Sequence, residues 1–338
     1  SSNRIEGNIP YYGANNIQDY VDDYTHDGTY VLVAEDGTTS VERYSIQWAT
    51  GKFWANNHVH VLTAIDGLDN RFLFHYLHIV NFVPFLTGGG RAKLTKAKLL
   101  EIPIPIPYPD DIEKSLAIQR RIVDILDKFT ELEAELEAEL EGRKRQYEFY
   151  RNQLLSINML NGRGKKINNS TILPLGEIVT IKNGKDYKHL STGNIPVYGS
   201  GGIMCFVDQY VYNKPSVLIP RKGSLANIFY LEEPFWNVDT IFYTEINEQI
   251  IIPKFLYYYL LNQHLDRLNL AGGVPSLTQK ILNKIQISIP PLSEQQRIVS
   301  ILDKFDTLTT SISEGLPKEI ELRRKQYEFY RDKLLSFA

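Results

Sequence analysis

Cysteine is nearly absent: Cys205 stands alone among 338 residues, so no intrachain disulfide can form. That suits a reducing, cytoplasmic setting. No apolar run of about 18 residues occurs and no signal-peptide pattern opens the chain, so neither a spanning helix nor a membrane partner is expected. An excess of basic residues is missing too, since the net charge is −3. Phosphate contact is made by Lys and Arg, so bulk charge argues against nucleic acid. The acids are unevenly placed, however, with a dense block, ELEAELEAELE, at 131–141.

Catalytic signatures are also lacking. No Asn/Asp-Pro-Pro-aromatic motif of amino-methyltransferases is present, and the only Pro-Pro, at 290–291, lies between Ile289 and Leu292. No G-x-x-x-x-G-K-[ST] phosphate loop occurs. GGG at 88–90 reads as a turn, and PDD at 109–111, with no acidic-x-Lys after it, reads as a helix entry. His58 and His60 alternate on a strand, and His75 and His78 lie one helical turn apart. Their counterparts in the repeat described next are Thr240, Phe242, Tyr258 and Leu261, so a shared metal site is not expected. Catalytic residues and cofactors are expected to be none.

What is present begins with packing material: 43% apolar and 12% aromatic residues, enough for two ordinary cores. Self-similarity is the dominant signal. NIPYYGANNIQDYVDDY at 8–24 matches NIPVYGSGGIMCFVDQY at 194–210, and VLVAEDGT at 31–38 matches VLIPRKGS at 217–224. RFLFHYL at 71–77 matches KFLYYYL at 254–260, and GGRAKLT at 89–95 matches GGVPSLT at 272–278. IVDILDKF at 122–129 matches IVSILDKF at 298–305, and QYEFYR at 146–151 recurs at 326–331. The order is the same in both halves. The second copy opens with TILPLGEIVTIKNGK at 171–185; nothing ahead of Ser1 matches it, so the first globular part is expected to lack an opening strand.

Apolar residues at spacings of three and four from Ile118 to Leu154, and from Ile298 through Ile312 to Leu334, predict two long amphipathic helices whose stripes pack as core. Each is about 60 Å long. Gly142, and more so Gly315 with Pro317, should bend or break them, and Ser293 with Gln296 has capping-box spacing. Between them, β-rich runs at Tyr30–Ala34, Val59–Thr63, Ser216–Pro220 and Thr240–Thr244 alternate with turn residues. Helices are expected at 70–82 and 253–266, and a proline-rich edge strand, EIPIPIP or QISIPP, closes each unit. The fold class is therefore α+β: two small α+β domains separated by two long antiparallel helices forming a coiled-coil-like spacer, with a pseudo-two-fold internal repeat. The expected domains are 1–114, helix 115–160, linker 161–170, 171–292 and helix 293–338.

This order of pieces resembles the specificity subunits of Type I restriction–modification systems. The residues that carry the resemblance are QRRIVDILDKF at 119–129, QQRIVSILDKF at 295–305, and the RKRQYEFYR block at 143–151 with its twin at 323–331. The resemblance implies a non-catalytic subunit that reads double-stranded DNA and binds two methyltransferase subunits through its helices. Each reading domain takes one half of a bipartite, asymmetric site. Restriction subunits join for cleavage, and S-adenosylmethionine, ATP and magnesium belong to those partners. Two other readings stay open: a recognition module cut from a bifunctional Type II enzyme, and a scaffold with no DNA role.

Base edges are read by Arg, Lys, Asn, Gln, Ser and Thr. The candidate contacts are Arg221, Lys222 and Ser224 in one copy and Thr38, beside Glu35 and Asp36, in the other. The tyrosine–glycine loops add Tyr12, Asn15, Asn16, Tyr198 and Ser200. Lys52, Arg91, Lys93, Lys182, Lys185 and Lys188 are candidates for phosphate, and Ser276 stands where Lys93 stands in the first copy.

Overall fold

The computed structural model describes residues 5–88, 92–156, 170–268, 276–311 and 313–336. The chain forms two compact units, the first discontinuous in sequence: unit 1 is Ser1–Glu137 with Glu319–Ala338, and unit 2 is Ala138–Lys318.

In unit 1, five strands form one sheet: β1 (Glu6–Tyr12), β2 (Ile17–Val21), β3 (His26–Ala34), β4 (Ile46–Ala55) and β5 (Val59–Leu62), in the order β2-β1-β4-β3-β5. Neighbours are antiparallel except β1 and β4, which run parallel with Tyr11 opposite Trp54. Val31, Leu32, Val33 and Ala34 are fully buried, as an inner strand covered on both faces requires. Helix α1 (Asn70–Leu77) is capped by Asp69, whose carboxylate accepts from the amides of Arg71 and Phe72. It ends short of 82 because the His78 ring takes the Phe74 carbonyl, at 2.8 Å, in place of a backbone amide. Helix α2 (Lys96–Leu99) starts at Thr95, whose hydroxyl accepts from Lys98 N. Helix α3 is Ile112–Leu154.

Unit 2 contains β6 (Thr171–Pro174), α4 (Leu175–Ile178), β7 (Val179–Lys182), β8 (Thr192–Gly199), β9 (Gly202–Val207), β10 (Ser216–Pro220), β11 (Phe229–Leu231), β12 (Trp236–Asn237) and β13 (Ile241–Ile246). These are followed by α5 (Pro253–Leu261), α6 (Gln279–Leu282), β14 (Gln286–Ile289) and α7 (Leu292–Thr310). The sheets run β11-β10-β13-β7, β12-β8-β9 and β14-β6. Thr278 caps α6 through Ile281 N as Thr95 caps α2, which gives the repeated Leu-Thr pair a physical role. The expected closing strand exists here as β14, paired antiparallel with β6. In unit 1 its counterpart at 101–107 forms no strand. In unit 2 the ladder partner of this strand comes from the opening of the 171–185 stretch.

The long helices are built from the repeated blocks. In unit 1, Phe129 of α3 stacks on Tyr330 of α8 (Gly315–Leu335), with ring centroids 5.4 Å apart, and Arg324 binds Glu133. Ile122, Leu126, Leu335 and Phe72 share a buried cluster, so the two segments run antiparallel. In unit 2, Tyr150 of α3 meets Phe305 of α7 at 5.7 Å, and Leu154 lies in one core with Ile298 and Leu302. Three helix expectations need correction. Gly142 does not break the helix: α3 is continuous through it, because good helix formers flank it and Arg143–Glu139 and Lys144–Glu141 pairs lace the surface. Ser293 is no cap: α7 starts after Pro291, without a side-chain cap, and Ser293 lies inside the first turn. The stripe also overreaches, since Ile125 and Leu132 stay exposed at the edge of a two-helix seam that is narrower than their arc. The second helix does break, between Thr310 and Gly315; Ile312 lies outside the described residues.

Candidate nucleic-acid interface

In unit 2, β10 is buried from Ser216 to Pro220, and the chain then turns outward at Arg221. The amides of Arg221 and Lys222 donate to Thr240 O at 2.9 and 3.2 Å, and Leu277 N donates to Arg221 O at 2.9 Å. Lys222 and Ser276 form an isolated antiparallel bridge. Gly223 has φ +81°, and a Cβ there would meet Ser200 Oγ at 3.1 Å, so a glycine allows the close approach. Ser200 N donates to Thr240 Oγ1 at 3.2 Å, and Asn227 Nδ2 donates to Ser200 O at 3.0 Å. Three candidate segments thus meet: the β8–β9 tip, the loop after β10, and the residues from Ser276 leading to α6. The Arg221 guanidinium lies 5.9 Å from the Phe242 ring centroid. Among the described residues, no carboxylate pairs with Arg221 or Lys222.

Unit 1 repeats the convergence with other side chains. Leu94 N donates to Glu35 O at 2.7 Å, and Asp36 bridges Lys93, in the same places as the unit 2 contacts. Gly37 has φ +72°. Asn15 Nδ2 donates to Gly37 O at 2.8 Å, and its Oδ1 accepts from Thr39 N at 3.2 Å. Both acids, however, are engaged locally. Lys93 Nζ lies 2.7 Å from Glu35 Oε1, and this carboxylate holds the lysine above its ordinary pKa. His58 Nδ1 lies 2.7 Å from Asp36 Oδ1. Asp36 lies in the acidic segment expected there, at the repeat position of Lys222; His58 was not among the expected contacts.

The other candidates are spread out. Tyr12 packs edge-on against Phe53 at 5.7 Å and Tyr198 lies 5.5 Å from Phe229, and burial raises both phenol pKa values. Asn16 Oδ1 accepts from Ile17 N, and Thr38 Oγ1 donates to Ser40 O. Ser224 is exposed, its carbonyl accepting from Asn227 N at 3.1 Å. Lys52 sits 4.5 Å over the Tyr24 ring, and Lys182 reaches Glu245 at 3.5 Å. Lys185 is held by its backbone to Asn237, and Lys188 is exposed. Arg91 lies outside the described residues. The histidines are separately engaged, with His60 Nε2 on Leu94 O, and no group of three metal-ligand side chains occurs among the described residues. No described helix is long and apolar enough to cross a membrane.

The comparisons agree with this two-copy plan. The family model "Type I restriction modification DNA specificity domain" matches residues 1–142 and again 168–322. The chain is 45% identical to the putative type I restriction enzyme specificity subunit S.HindORF215P of Haemophilus influenzae, covering all of this chain and 90% of that one. It is 37% identical to the EcoR124I/EcoR124II specificity subunit of Escherichia coli, over 91% of this chain and 80% of that one. The crystal structure of the Type I S subunit from M. genitalium superposes with a TM-score of 0.61 at 22% identity, over 98% of this chain and 90% of that one, which shows a shared fold.

Proposed function

Since the chain belongs to the Type I restriction–modification DNA specificity family, a family of recognition subunits and not of catalytic ones, we propose that each of its globular parts, 1–114 and 171–292, reads one half of a bipartite, asymmetric DNA target. The observation that carries this reading is the convergence of the same three segments in both units, with Arg221 and Lys222 in one at the positions of Glu35 and Asp36 in the other. Arg221 suits a two-pronged donor for guanine, and the acidic loop of unit 1 an acceptor for the amino groups of cytosine or adenine. Reading two different half-sites needs this: one scaffold used twice, with divergent side chains.

The helices dock two methyltransferase subunits for adenine methylation, and restriction subunits join for cleavage. Support comes from Phe149 and Phe329, which hold the same repeat position and are 57% and 60% exposed. A large aromatic left uncovered twice suits one partner present twice.

The test is reconstitution of the chain with its methyltransferase subunit and S-adenosylmethionine, followed by mapping of modified adenines across a genome. One bipartite motif with a fixed gap is the expected result. A folded complex that methylates nothing, or marks one undivided motif, sinks the reading.

A further inference from the structure

Each unit fastens its globular part to its long helix at two points, and the points are equivalent in the repeat. The first is a fully buried glutamine. Gln119 Oε1 accepts from Asp69 N at 2.8 Å, while its Nε2 donates to Gly67 O at 2.8 Å and Ser115 Oγ at 3.0 Å. In unit 2, Gln295 Oε1 accepts from Ile252 N at 2.8 Å, while its Nε2 donates to Ile250 O at 3.0 Å and Pro290 O at 2.8 Å. Both amides hold the turn that opens the domain helix, α1 or α5.

The second fastening is a carboxylate eight residues further along, about 12 Å away on a helix. Asp127 Oδ1 accepts from Arg71 Nε at 2.8 Å and from His75 Nε2 at 2.7 Å. Asp303 Oδ1 accepts from Tyr258 OH at 2.6 Å and lies 3.0 Å from Lys254 Nζ. The donors differ: Arg and His in one unit, Lys and Tyr in the other. The anchoring aspartate and its geometry are the same. Apolar packing of Phe72 on Ile122 and Leu126 attracts without direction. One directional fastening would leave a pivot; two on one line fix the angle.

We propose that Gln119 with Asp127, and Gln295 with Asp303, are positioning residues that hold each reading domain at a set angle on its helix and thereby set which gap between half-sites is accepted. This rests on the bipartite reading above.

The experiment uses the full chain in its methyltransferase complex, on targets with the natural gap and with one base pair added or removed. Wild type marks the natural gap. Asp127→Asn and His75→Phe keep both half-site sequences but lose gap discrimination roughly tenfold, the scale of one charged hydrogen bond. His75→Tyr restores it, because Tyr258 already makes that bond in unit 2. A merely structural role lowers methylation on all gaps together and leaves their ratio alone, which overturns the inference. Wild-type discrimination in Asp127→Asn and His75→Phe, or a His75→Tyr as poor as His75→Phe, overturns it too. Should Asp127→Asn yield no folded complex, Lys254→Met removes one partly exposed donor from Asp303 and faces the same test. If the wild-type complex marks no bipartite motif, the functional reading falls and takes this inference with it.

Discussion

The two units carry opposite side chains on the same backbone hydrogen bonds. After β10, Arg221 and Lys222 stand without carboxylate partners among the described residues; after β3, Glu35 and Asp36 are each tied to a base. Yet the backbone bond from Leu277 to Arg221 and that from Leu94 to Glu35 are the same bond in two copies. The loop is held by main-chain hydrogen bonds, so its side chains can change sign at no cost to the fold. At the fastenings the reverse holds, since the aspartate is kept and even its donors are only exchanged for others that bond it.

The sharpest way to break the comparison is to remove the unpaired base. Arg221→Ala should lower methylation of targets carrying its cognate base about 10- to 100-fold, the scale of one two-pronged base contact, and relax choice at one position of one half-site. Mapping of modified adenines reads both effects. Unchanged rate and motif would clear Arg221 of the role.

The two helix glycines make a second contrast. A Cβ on Gly315, at φ +77°, would meet Thr307 O at 2.4 Å, whereas one on Gly142 meets nothing within 4 Å. Gly315→Ala should therefore cost about 2 kcal/mol, and Gly142→Ala should add about 0.5–1 kcal/mol. Denaturant melts of the full chain check both signs.

The smallest effect separates His75 from Tyr258. Burial pushes His75 down to about 4 from its ordinary 6.5, partly opposed by its hydrogen bond to Asp127. The unfolded chain then binds a proton that the native unit does not, so stability rises with pH between about 4 and 6.5 and is lost as pH falls through that window. At pH 5.5 the loss is roughly 1 kcal/mol. His75→Tyr should flatten that slope in thermal melts between pH 7 and 5; an unchanged slope would place its origin elsewhere.

The repeat made much of this fold legible. Ser216–Pro220 and Val31–Ala34 read as strands because runs of apolar residues stop at turn residues, and the long helices read from their spacing. The closing strand forms in unit 2 and not at 101–107 of unit 1, because strandedness belongs to a pair and a run of residues alone does not show what it pairs with. Gly142 failed because a glycine's cost, about 1 kcal/mol, is small against 43 residues of helix. At the site, Arg221 and Lys93 were visible by residue type. The Lys93–Glu35 pairing was not, since it joins positions 58 residues apart whose neighbourhood only the bridge to α2 creates.

The interleaved make-up of the units bears on the order in which a ribosome finishes them. His75 and Tyr327 meet across 252 positions, whereas Tyr258 and Asp303 meet across 45. Every piece of unit 2 is translated before the last piece of unit 1. The half made first is thus completed last, and until α8 arrives, the side of Phe72, Ile122 and Leu126 that Leu335 covers stays open to water. Long-range closure of this kind is slow, and it makes the nascent N-terminal half the part most in need of a chaperone.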